Sequence, residues 1–206
     1  MNNTLLKKRK LEIDSEIEES DETYESEYLY VINNHIYFSS DITKKSSFAL
    51  CKSLRNLENI VKIKKITHQI KEEIFLHITT DGGCITSAFS IIDCMEQLSI
   101  PVHTVIDSNV SSAGTLISVH GVKRYICKNS YVLIHELRSG VWGKLAYIED
   151  NYNNCLKIQK HINNIYMNKT KINTKTLKDI LVKDIQFNAE ECIKMGIADE
   201  IYYNLN

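Results

Sequence analysis

From Tyr28 onward, short apolar runs alternate with stretches of helical periodicity. "YLYVI" and "HIYF" read as two strands around an Asn33-Asn34 turn. Residues 43 to 60 carry Phe48, Cys51 and Leu54 on one helical face, with Thr43 placed as N-cap. "EIFLHITT" is mostly apolar, as expected of a strand in a sheet covered on both faces. It runs into Asp81-Gly82-Gly83 and then a helix over 84–99, where Ile85, Ala88, Phe89, Ile92 and Met95 keep helical spacing. "VHTVI" predicts another strand, followed by the pair Ser111-Ser112 and a short helix reaching Gly121. "KRYIC" and "YVLIH" bracket a "KNS" turn. A long helix over about 144–168 follows, with Leu145, Ile148, Tyr152, Cys155, Ile162 and Tyr166 as its apolar stripe. Spanning roughly 35–40 Å, it is longer than a domain of this size needs internally. A shorter helix holds Leu177, Ile180 and Leu181. The last, 189–195, has Asn188 as N-cap, Glu191 as capping-box partner and Gly196 as its stop. The alternation of strands and helices argues for an α/β fold.

Composition narrows the class. The chain has 206 residues, 43% hydrophobic and 25% charged, enough for one domain with a sizeable core. A formal net charge of −1 argues against nucleic acid or an anionic membrane as partner. No apolar stretch approaches the ~20 residues of a membrane span, and "MNNTLLKKRK" lacks the apolar core of a signal peptide. A soluble, intracellular, cytoplasmic protein is expected. Residues 1–27 stand apart: "KKRK" is followed by nine acidic residues and no base, the pattern of a solvated tail ahead of a domain at 28–206. The six cysteines form no zinc-ligand spacing and read as reduced core residues, with no metal site expected. Glycine is scarce, at seven residues, so each one points to a backbone requirement.

"NVSSAGT", between a strand and a helix, raises the question of a nucleophilic serine at 111 or 112. A hydroxyl nucleophile needs a base, a group that orients the base, and donors for an oxyanion. Of seven histidines, His135 stands where a strand ends and can reach a cleft. His120 is about 12 Å along the helix from Ser112, too far to serve. His77 and His103 sit inside strands, and His35, His68 and His161 lie in polar surroundings. The "DGG" turn and the amide after the serine pair are candidate donors. The carboxylate could be any of several, Asp184 among them.

The order of blocks is more telling than any one of them. Strand–"TDGG"–helix, strand–"SSAG"–helix, "SYVLIH" and "KDIQFNAEECIKMGIADEI" together resemble the proteolytic subunit of the caseinolytic (Clp) proteases, over roughly residues 29–203. The resemblance implies the fold shared with crotonases: repeated β-β-α units with a protruding strand–helix handle, here about 136–168. It implies Ser112 as nucleophile, one residue before a residue-glycine pair. It implies His135 as base, and Asp184 as acid, twelve residues before Gly196. Amides of Gly83 and Ala113 would form the oxyanion hole. Ser139, Gly140, Val141, Trp142 and Gly143 would bind an extended substrate as an added strand.

The resemblance further implies a serine endopeptidase working through an acyl-enzyme inside a chamber of two seven-membered rings. A separate ring-forming ATPase of the AAA+ kind would unfold the substrates, since this chain has no Walker-A loop and no cofactor of its own is expected. Two departures stand out. Thr80-Asp81-Gly82-Gly83 replaces the family's Ser-Pro-Gly-Gly, and His135-Glu136-Leu137 replaces its His-Gln-Pro. The alternatives are a catalytically silent ring subunit or an acyl-CoA enzyme of the crotonase type; no adenine pocket is discernible for the latter.

Overall fold

The computed structural model describes residues 28–68 and 72–203. The acidic segment 1–27, and with it the expected domain boundary, lies outside the described residues. An eight-stranded sheet and six helices form the mixed α/β architecture expected.

Strands β1 (Leu29–Ile32) and β2 (His35–Ser39) make an antiparallel hairpin. It turns at Asn33, whose φ of 56° is a conformation asparagine tolerates. β2 pairs in parallel with β3 (Ile74–Thr80), and β3 with β4 (Val102–Ser111). The long β4 serves two strands on its far edge. Its first half pairs with β5 (Arg124–Ile126) and its second with β6 (Tyr131–Leu133), both parallel. The "KNS" turn therefore carries the chain along β4 instead of folding β5 and β6 onto each other. β5 continues to β8 (Glu200–Ile201), and β6 pairs antiparallel with β7 (Gln186–Asn188).

Local chemistry sets the helix boundaries. Helix α1 (Lys44–His68) is capped reciprocally: Ser46 N–H donates to Thr43 Oγ1 (3.0 Å) and Thr43 N–H to Ser46 Oγ (2.9 Å). Its buried stripe is Leu50, Leu54, Leu57 and Val61, so the core-facing side is rotated from the expected one and Phe48 is exposed. That leucine series fills the helical period more completely than the Phe48 series does. Helices α2 (Ile85–Gln97) and α3 (Ala113–Ser118) complete the layer on this face of the sheet, and every residue of α3 is buried. α5 (Thr174–Leu181) buries Leu177, Ile180 and Leu181. In α6 (Ala189–Met195) both arms of the Asn188–Glu191 capping box are present, and Gly196 ends the helix at φ 71°.

Among the described residues, one face of the sheet carries an aromatic layer. His35 and Tyr37 of β2 stack on Phe75 and His77 of β3, and Tyr125 and Tyr202 complete it. The polar setting assigned to His35 is corrected here. His77 is buried; its Nδ1 lies 2.9 Å from the Asp107 carboxylate and its Nε2 lies 2.9 Å from His35 Nδ1. Burial, then the neighbouring His77, lowers the His35 pKa.

Helix α4 (Leu145–Lys169) has two halves. Its C-terminal half buries Ile162, Ile165 and Tyr166. Leu145, Tyr147, Tyr152 and Leu156 of its first half are exposed, as is Trp142 just before it. Residues 139–143 belong to no strand of the sheet. Among the described residues, the strand half of the expected handle is therefore not formed.

Tyr166 ties α4 to α3. Thr115 Oγ1–H donates to the Ser112 carbonyl (2.7 Å), so the Tyr166 hydroxyl must be the donor to Thr115 Oγ1. Burial raises the Tyr166 pKa, keeping this hydroxyl protonated. Tyr166→Phe should lower unfolding stability by about 1–2 kcal/mol in urea titrations, because it leaves a buried acceptor short of its donor.

Candidate functional site

The site forms where the parallel strands end. β4 finishes at Ser111, and the next residue turns sharply into α3. Ser112 has φ 54° and ψ −124°, a conformation rarely adopted outside glycine. Three hydrogen bonds hold it there: its N–H donates to Leu133 O (2.8 Å), and its carbonyl accepts from Thr115 N–H (3.0 Å) and Thr115 Oγ1–H (2.7 Å). Gly82 packs behind the turn. A Cβ added there would stand 2.7 Å from Ser112 Cβ, and its φ of 103° already excludes most side chains.

The two serines separate cleanly. Ser111 is buried, and its Oγ accepts from Asn109 Nδ2 (3.0 Å). Ser112 is half-buried and lines a cleft of about 240 Å³. Gly83, Ala113, Leu116, His135 and Tyr166 share that lining, so four of the five expected triad and oxyanion residues meet at one place.

Gly83 is fixed by a bridge to Ile42. Ile42 N–H donates to Gly82 O (2.7 Å) and Cys84 N–H to Ile42 O (2.7 Å). These bonds use the groups on either side and leave the Gly83 amide out. A Cβ at Gly83 would lie 2.3 Å from Ile42 O, so no other residue fits. Among the described residues, neither the Gly83 nor the Ala113 amide has an acceptor within the chain. Two N–H groups on the wall of one cleft, the second at the start of α3, are suited to a developing negative charge. Asp81, which replaces the proline, also lines the cleft, and it is held by Asn109 Nδ2 (2.8 Å).

His135 follows β6. Its Nδ1 is 2.6 Å from the Glu136 carbonyl, which can only accept, so the proton of the neutral ring is on Nδ1 and Nε2 carries the lone pair. The loop beyond is anchored by Glu136 N–H to Leu181 O (3.1 Å) and Leu137 N–H to Gln159 Oε1 (2.7 Å).

Asp184 is not part of the cleft lining. It is exposed, and both its carboxylate oxygens accept from Arg138 Nη2 (2.8 and 2.7 Å). Its backbone placement is nonetheless suggestive. β6 and β7 pair as Tyr131↔Asn188, Val132↔Phe187 and Leu133↔Gln186. The ladder stops there, and His135 and Asp184 each lie two residues beyond its last pair. The topology brings the two residues to one end of one ladder, while the side-chain contact goes to Arg138. Arg138 was not singled out by the sequence; its one signal is a guanidinium three residues past the histidine. Ser139, Gly140, Val141, Trp142 and Gly143 are all exposed just beyond it.

A family model described as Clp protease matches residues 18–204, reaching into the acidic segment at one end and covering the whole described fold. With Ser112, His135, Gly83 and Ala113 around one cleft in an α/β fold of the expected order, the match settles the family: the chain belongs to the Clp proteases, a family of peptidases.

Proposed function

We propose that the chain is a serine-type endopeptidase, the proteolytic subunit of an ATP-dependent Clp-type protease. The observation that carries this reading is the backbone at Ser112, strained outward over a cleft that also presents two amides without acceptors and a histidine. On this reading Ser112 Oγ attacks a peptide carbonyl and His135 Nε2 takes its proton. The amides of Gly83 and Ala113 receive the oxyanion, His135 protonates the leaving amine, and water releases the acyl-enzyme.

Asp184 is assigned the role of holding the His135 Nδ1–H and stabilising the imidazolium. That requires it to leave Arg138 and His135 to leave the Glu136 carbonyl. The register of β6 and β7 supports the exchange, because its extension past Leu133↔Gln186 would bring the two residues opposite each other. The Arg138–Asp184 pair is then a resting arrangement.

Assembly is read from α4. Its exposed first half, with Trp142, supports a handle through which two rings meet, and residues 139–143 would gain their strand partners there or from substrate. A Clp-type ATPase would deliver unfolded chains to such a chamber, and that partner is inferred from family membership. Among the described residues no helix is long and apolar enough to cross a membrane.

A second reading has one observation in its favour. The Arg138–Asp184 pair leaves the triad unassembled, as in a ring subunit that contributes walls but no chemistry. Labelling of the purified chain with a fluorophosphonate separates the two: modification at Ser112 supports the peptidase, and no labelling in the assembled particle supports the silent subunit.

Three substitutions test the roles. Ser112→Ala should abolish turnover of a short fluorogenic peptide, while Ser111→Ala leaves most of it. Asp184→Asn should lower kcat by roughly 10³–10⁴-fold with little change in KM. Arg138→Ala should raise kcat/KM by up to about fivefold, the range set by an exposed ion pair of ~1 kcal/mol or less. A loss of activity in that variant would show that Arg138 supports the active arrangement.

A further inference from the structure

A second, larger cleft of about 530 Å³ lies between α1 and α2 and takes no part in the chemistry above. Cys51 of α1 and Cys94 of α2 both line it. Each sulfur touches the other helix: Cys94 Sγ is 3.8 Å from Cys51 O, and Cys51 Sγ is 3.7 Å from the carbonyl of Ser90, one turn before Cys94. Helices approach this closely because the facing residues are small, with Ser47, Ser87 and Ser90 on the same cleft wall. Each thiol thus reaches across one seam to the backbone of the facing helix, the placement from which a bridge can form.

The surroundings divide the labour between the two sulfurs. The neighbouring Cys51 thiol lowers the Cys94 pKa against the effect of burial, and Arg55 on the next turn of α1 adds to the lowering. The neighbouring Cys94, with burial, pushes the Cys51 thiol up. Cys94 is therefore the more readily ionised of the two sulfurs. Cys51 is half-buried and Cys94 buried, so access to them is for a small oxidant entering the cleft.

We propose that Cys51 and Cys94 are a redox-active pair that forms a reversible disulfide clamping α1 to α2. With a peroxide as oxidant, the Cys94 thiolate attacks one peroxide oxygen and the O–O bond breaks. The departing hydroxide takes up a proton to become water, leaving Cys94 as the sulfenic acid. Cys51 sulfur, losing its proton, then attacks the Cys94 sulfur; the S–O bond breaks and a second water leaves. Two thiols give up two electrons and hydrogen peroxide is reduced to two waters. A dithiol reductant reverses the process by thiol–disulfide exchange. The bridge closes a loop that contains β3 and the Gly82-Gly83 turn, so it fastens together the two helices that flank that turn.

The test is peptide mapping of the full-length wild-type chain, treated in its native state with a modest excess of hydrogen peroxide and then alkylated. The expected result is one cross-linked peptide joining Cys51 to Cys94, a mass lower by two hydrogens, and a Tm higher by roughly 5–10 °C that dithiothreitol restores to its starting value. Cys51→Ser and Cys94→Ser should each lose the cross-link and the Tm response; the wild-type map stands if either variant fails to fold. Recovery of the two cysteines singly alkylated or separately over-oxidised would overturn the proposal, as would a bridge to any other cysteine or a cross-link that leaves Tm unchanged. None of these readouts involves peptide turnover, so they stand or fall apart from the catalytic reading.

Discussion

The backbone at Ser112 is the constraint on which the site depends. A non-glycine residue at φ 54° and ψ −124° costs on the order of 1–3 kcal/mol and persists only where its surroundings over-determine it. Here they do. β4 is flanked by β3 on one side and by β5 and β6 on the other, so its end is not free to shift. The N–H of Ser112 is committed to Leu133, and its carbonyl is held twice by Thr115, itself pinned by Tyr166 from α4. Three consequences follow from the one torsion. The side chain leaves the sheet for the cleft, the Ala113 amide is presented without an acceptor, and α3 begins with its N-terminus beside the serine. A relaxed residue at that position would lose all three together.

The opposing wall obeys a related constraint. Gly83 is bridged to Ile42 so tightly that a methyl group has no room, and the bridge uses the neighbouring groups while leaving the Gly83 amide unused. Both donors are therefore products of main-chain geometry, and neither relies on a side chain that could rotate away. This is why Asp81 is tolerated where the family has proline. The turn is held by Ile42 and by Gly82 N–H donating to Thr80 Oγ1 (3.1 Å), and the aspartate is drawn aside by Asn109.

What could be read from the sequence follows the range of the interactions. Thr43, Asn188, Glu191 and Gly196 act within a few residues of themselves, and their caps stand where the sequence puts them. The order of strands and helices was legible for the same reason. The errors lie where distant segments decide. The "KNS" turn between "KRYIC" and "YVLIH" was legible, but not that both runs are claimed by the ten-residue β4. His35 has polar neighbours in sequence but stacks on Phe75 from a strand forty residues away. The aromatic layer is invisible to a one-dimensional pattern, since its members sit one or two to a strand. Arg138 was missed because an exposed arginine in a loop carries no local signal of the carboxylate it will meet.

That carboxylate gives the Arg138 contact its meaning. The side chains of Arg138 and Asp184 are 68% and 60% exposed, so their attraction is screened by water and is worth ~1 kcal/mol or less. Holding an imidazolium in the tautomer that acyl transfer needs is worth several times that in the transition state. A contact so weak can set the resting geometry without fixing it, provided the alternative partner is near, and His135 and Asp184 each lie two residues beyond the last pair of the β6–β7 ladder. The balance should then depend on whatever orders residues 139–143, because Arg138 is joined to that exposed segment by a single peptide bond. Pairing of this segment as a strand, with substrate or with another subunit, would draw the guanidinium along with it and leave Asp184 to His135. On the proposed reading, occupation of the substrate strand and alignment of the triad are one event.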